Sequence, residues 1–97
     1  MTDQEINEKL ARILGYKVEL VNNTVIARSE VSTNVFDYHH PAIFAENVIW
    51  LLGNGCAFYG STPLRILNSI SLELLAEDKD PYKAVALARI EAAIEDD

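Results

Sequence analysis

This 97-residue chain is short of cysteine, of histidine and of positive charge, with eight basic residues set against fifteen acidic ones. Each shortage excludes a class of protein. A single cysteine, Cys56, cannot form an internal disulfide, so the fold does not depend on oxidation. A net charge of -7 disfavours direct binding to duplex nucleic acid or an anionic membrane, both of which want Lys/Arg patches, and favours a basic protein partner. No apolar run is longer than Val48 to Leu52, far below the ~20 residues that span a bilayer. The opening Met1-Thr2-Asp3-Gln4-Glu5 is acidic and has no apolar signal core, so the expected location is the cytoplasm. There is no low-complexity stretch and no linker. This length holds one core, so a single domain over residues 1-97 is expected.

What is present is punctuation for helices and turns. Thr2 and Glu5 stand at capping-box spacing, and Ile6, Leu10, Ile13 and Leu14 then fall on one helical stripe that Gly15 ends. Lys17 to Val21 and Thr24 to Arg28 flank Asn22-Asn23, a residue pair that tolerates the positive φ of a tight hairpin. That turn sets Leu20 opposite Val25 and Val18 opposite Ala27, and these four are the expected buried face. Ser29 to His40 is polar and aperiodic, a loop with a short extended piece at Asn34-Val35-Phe36. Pro41 restarts regular structure, with Asp37 a candidate cap. Residues 41 to 53 read as a helix that is apolar nearly all round. Cys56 to Tyr59 reads as a short strand, followed by a turn at Gly60-Ser61-Thr62-Pro63. Residues 64 to 77 fit either a strand, with Ile70, Leu72, Leu74 and Ala76 alternating, or a helix, with Ile66, Leu67, Ile70 and Leu74 on one face. Asp80 and Pro81 open an Ala-rich terminal helix as N-cap and first residue. Its apolar flanks are Leu87, Ile90 and Ile94 on one side and Tyr82, Val85, Ala86 and Ala93 on the other. Both flanks need cover, from the fold or from another copy.

Few residues invite chemistry. On the middle helix Glu46 and Asn47 sit ~100° apart with Ile43 and Trp50 stacked between them. Trp50 is then either core or an interface anchor, and the two polar neighbours favour an outward face. Phe58, Tyr59, Ser61, Thr62 and Arg65, with Tyr38 and His39, form an alternative set able to stack and hydrogen-bond a nucleotide-like ligand, although the glycine spacing of a phosphate loop is missing. Asp37-Tyr38-His39-His40 is the one titratable loop cluster, and nothing completes a metal site around it. Cys56 lies in an apolar strand and reads as a small buried hydrophobe. The acidic stretches Glu77-Asp78-Lys79-Asp80 and Glu91 to Asp97 offer either a mimic of DNA phosphates to a basic partner or, more simply, a solvated surface. No acid/base pair and no nucleophile constellation is visible, so neither an enzyme nor a cofactor is expected.

Three segments carry a resemblance: Glu5-Ile6-Asn7-Glu8-Lys9-Leu10-Ala11 with Leu14-Gly15, the middle helix ending in Leu52-Gly53, and Asp80-Pro81-Tyr82-Lys83-Ala84-Val85-Ala86-Leu87-Ala88. Together they resemble the phage ABA-sandwich domain family, small phage and prophage accessory proteins. The match spans most of the chain and breaks between Ser29 and Pro41. It implies a strand over residues 69 to 76 running into the final helix, a phage origin and a non-catalytic accessory role. The expectation is an α+β domain of order α-β-β-α-β-β-α, with helices on a small, mainly antiparallel sheet. Its expected function is to bind and inhibit a host defence protein, and the alternative is a small-ligand or signalling-nucleotide sponge with its site at an oligomer interface. A homodimer or larger homo-oligomer is expected in either case.

Overall fold

The computed structural model describes the backbone of residues 1-95 and the side chains up to residue 93. The expected roles of Ile94 and of the acidic end at Glu95, Asp96 and Asp97 therefore lie outside the described residues. The architecture is α+β, with three helices and two three-stranded antiparallel sheets. Its order is α-β-β-β-α-β-β-β-α, two strands more than expected from the sequence. The chain divides into two compact units, Met1–Tyr38 and His39–Asp97.

In the first unit, α1 (Asp3–Ile13) starts as its sequence dictates. The Thr2 hydroxyl accepts from the Glu5 N–H at 3.2 Å, and the Glu5 carboxylate accepts in return from Thr2. The backbone N–H and hydroxyl of Thr2 hold the Glu5 carboxyl below its ordinary pKa. The helix ends in a Schellman motif. Gly15, at φ +90°, donates to the Arg12 carbonyl and Tyr16 donates to that of Ala11. β1 (Lys17–Val21) and β2 (Thr24–Arg28) pair in the expected register, Val18 with Ala27 and Leu20 with Val25. Asn22 and Asn23 take φ 49° and 63°, the left-handed pair that a type I′ turn needs. The expected buried face is realised on β2 only. Val25 and Ala27 are buried and Val18 is half-buried, whereas Leu20 is exposed. β1 is an edge strand with β2 as its one sheet neighbour, so the tip of the hairpin projects into solvent. The extended piece in the 29–40 loop is β3 (Thr33–Val35), antiparallel to β2.

In the second unit, α2 (Pro41–Gly53) is capped by His40, whose Nδ1 accepts from the Ala42 N–H at 3.2 Å. The cap is thus His40 and not Asp37, because the side chain next to Pro41 is the one that reaches the free first-turn donors. β4 (Cys56–Tyr59), β5 (Leu64–Asn68) and β6 (Leu74–Asp78) form an antiparallel meander. The ambiguous run of residues 64 to 77 is therefore two strands and a turn. Its alternating apolar pattern breaks at Asn68, whose side-chain oxygen accepts from the N–H of Ile70 and of Ser71 and folds the chain back. Residues 69 to 73 are that turn, so the strand expected over 69 to 76 begins only at Leu74. Leu75 bulges where the register passes from Ile66↔Ala76 to Leu67↔Leu74. α3 (Pro81–Glu95) begins at Asp80, whose Oδ1 accepts from the Tyr82 N–H at 3.0 Å. Leu51, Cys56, Leu64, Ile66, Ala84, Val85 and Ala88 form the core of this unit. α3 is buried on both expected flanks, at Val85 and Ala86 on one and Ile90 on the other, so it is the fold that covers them.

Candidate functional site

One end of the second unit collects exposed aliphatic side chains. On α2, Ala42, Ala45, Ile49 and Leu52 are all exposed, and their 3-4-3 spacing places them on one stripe. Ile49 and Leu52 are 70% and 57% accessible. Just past the helix, the Gly55 carbonyl accepts from both the backbone N–H and the hydroxyl of Ser69, at 2.8 and 2.6 Å. These bonds bring the β5–β6 turn to the C-terminal end of α2. There Ile70 and Leu72 are 91% and 67% accessible. Leu72 also has φ +63°, a conformation that glycine or asparagine adopts at far lower cost than a branched aliphatic residue. The charged groups within α2 and residues 69–73 are Glu46 and Glu73, both exposed, with no Lys or Arg among them. Exposed aliphatic groups and two exposed carboxylates thus lie on two elements that the Gly55–Ser69 bonds tie together.

The opposite side of α2 is polar where it meets α3. The Arg89 guanidinium stacks on the Trp50 ring, 3.8 Å from its centroid. Arg89 is only 8% exposed, and its Nε and Nη1 have no hydrogen-bond partner. Burial lowers the Arg89 pKa, and the nearby Glu46 charge opposes that shift. Asn47 is 1% exposed and its Oδ1 is likewise unpaired. A cation–π contact out of water is worth ~2 kcal/mol, which partly offsets the desolvation of the guanidinium.

The sequence-derived interface set therefore divides. Glu46 faces outward, Ile43 and Trp50 are half-buried, and Asn47 points inward, against the expectation that both polar residues face solvent. The presented stripe lies on the other side, at Ile49 and Leu52. Arg89 was missed: it shares helical spacing with the flank of Tyr82, Val85, Ala86 and Ala93, but a lone cation gives no sign in the sequence that it is buried.

The alternative ligand set does not converge. Phe58 is half-buried on the core, Tyr59, Ser61 and Thr62 are exposed, and Arg65 pairs with Glu77 at 3.1 Å across the β5–β6 ladder. Tyr38 is buried in the first unit, with its hydroxyl donating to Asp3 and its N–H to Asn7, both at 2.8 Å. His39 belongs to the second unit. Its Nε2 lies 2.8 Å from Asp80 Oδ2, and its ring is 5.7 Å from that of Tyr82. Burial opposes ionisation of Asp80, but the His39 hydrogen bond and charge and the N–H groups of Tyr82 and Lys83 prevail, and its pKa falls below the ordinary value. Cys56 is buried in the core. In the first unit an open cleft of about 380 Å³ is lined by Gly15, Lys17, Arg28, Ser29 and Glu30, with Arg28 already paired to Glu19.

Fold and site together describe a small α+β protein with an exposed apolar helix face. No helix among the described residues is long and apolar enough to cross a membrane. The chain matches no family model, no curated protein and no solved structure.

Proposed function

We propose that this is a non-enzymatic binding protein whose target is another protein. The observation that carries the reading is the exposure of Ile49 and Leu52 on α2 and of Ile70 and Leu72 on the turn tied to its end, with Glu46 and Glu73 the charged residues of those two elements. A fold this small gains nothing from leaving four large aliphatic groups in water, and such patches mark contact surfaces. The sequence resemblance supplies the setting, a phage accessory protein that binds and inhibits a host defence protein in the cytoplasm. A pull-down from host lysate with the intact chain, read by mass spectrometry, tests it. One host protein captured in stoichiometric amount, and inhibited by added chain, is the expected result. Capture of nothing, together with a small molecule co-purifying in a native mass measurement, overturns it.

One observation favours a second reading, a small-ligand binder. Lys17 and Arg28 sit opposite each other in the β1–β2 ladder and both line the cleft of the first unit. Pairing of Arg28 with Glu19 and the presence of Glu30 leave little net positive charge there, which is why this reading ranks second. Lys17→Glu abolishing the capture of a co-purifying anion would promote it.

A further inference from the structure

We infer that the α2 stripe is a seat for one helix of a partner protein, a helix whose apolar seam is flanked by Lys and Arg. The inference rests on the proposed binding function and specifies the partner's chemistry. Three features define the occupant. First, Ala42, Ala45, Ile49 and Leu52 repeat at 3-4-3, the spacing at which one helix receives the seam of another. The two alanines allow close backbone approach at one end, and Ile49 and Leu52 supply bulk at the other. Thirteen residues give a seat ~20 Å long, enough for three to four turns of a partner helix. Second, charge selects the flanks. Glu46 and Glu73 are the charged residues of α2 and the 69–73 turn, the one cation placed near Glu46 is the buried Arg89 on the other side of α2, and the chain carries a net charge of -7. A second copy would set those carboxylates against their own kind, whereas a basic helix would neutralise them. Third, Leu72 is held at φ +63° and is 67% accessible. That φ closes the β5–β6 turn, where the Leu72 N–H donates to the Asn68 carbonyl at 2.8 Å, and the turn holds the aliphatic side chain out where a partner can meet it.

The test uses the intact protein and a designed 14-residue helical peptide with leucines at 3-4-3 spacing flanked by lysines. A matched peptide carries glutamates in place of the lysines. Titration calorimetry at low and at physiological salt should show the basic peptide binding at least tenfold tighter than the acidic one, and weakening as salt rises. Ile49→Ser/Leu52→Ser keeps every charge and should weaken the basic peptide at least tenfold. Ile49→Glu/Leu52→Glu makes the protein more acidic, so a purely electrostatic attraction would strengthen, whereas seam docking is lost. Glu46→Lys/Glu73→Lys should reverse the preference between the peptides. Equal affinity for the two peptides, or unchanged affinity in the serine variant, overturns the inference. So does sedimentation showing that the wild-type chain is a dimer at micromolar concentration that Ile49→Ser/Leu52→Ser dissociates. A lysate partner whose capture survives that variant would leave the binding function standing and defeat this seat alone.

Discussion

α2 and α3 make an instructive pair. α2 is the richer in large apolar residues, yet it leaves Ile49 and Leu52 in water. α3 contains five alanines over Pro81–Glu95, and its residues 84–86 and 88–90 are all buried. Small side chains let neighbouring elements approach a helix closely on several faces, so the helix of lower bulk becomes the central one. Large aliphatic residues all round a helix do not secure burial. They stay exposed on whichever face the fold leaves uncovered, and on α2 that face keeps a seam's periodicity.

The largest expected effect separates two adjacent leucines. Leu51 is fully buried, and Leu51→Ala should lose ~2–5 kcal/mol in urea unfolding, whereas Leu52→Ala should stay within about 0.5 kcal/mol. Equal losses would erase the distinction between the two faces of α2. The α2–α3 contact gives the next effect. Arg89→Met removes a buried guanidinium that has two unpaired nitrogens, so stability should hold or rise, by ~1 kcal/mol. A fall of more than that would show that the Trp50 stack outweighs the desolvation. Leu72→Gly comes third, because glycine accepts φ +63° without strain. The unfolding midpoint should rise by the equivalent of ~1 kcal/mol, while peptide binding at the α2 seat weakens.

The smallest effect concerns the start of α3. The folded pKa of Asp80 is depressed, so its contribution is present above the unfolded value and is lost as pH falls through the folded one. Asp80→Asn keeps a capping oxygen but forfeits the charge paired with His39, and should flatten the acid limb of the stability curve within that window. Asp80→Ala also removes the cap and should cost ~1 kcal/mol at neutral pH. An acid limb identical in all three proteins would remove Asp80 from the account.

Local features were legible wherever chemistry acts over a few residues. The Thr2–Glu5 capping box, the Gly15 stop, the Asn22-Asn23 turn with its register, and the Asp80-Pro81 helix start all appear as read. Each depends on one side chain satisfying a backbone group nearby, or on one residue tolerating a positive φ, and those preferences travel with the sequence. Asn68 shows where such reading is blurred. Its turn interrupts an apolar alternation that continues on both sides, so period alone ran the strand through it.

What the tertiary structure alone decided is which apolar faces meet cover. Residues 41–53 are apolar nearly all round, so periodicity could not orient α2. Packing put Asn47 and Leu51 inside and left Ala42, Ala45, Ile49 and Leu52 outside. Arg89 is similar, because a lone cation on an alanine-rich helix ordinarily faces water, and only the Trp50 ring across the α2–α3 contact explains its burial. The physical reason is common to both. Hydrophobic burial has no direction of its own and is assigned by whichever neighbour arrives, whereas a cap or a turn carries its geometry within the residues that form it.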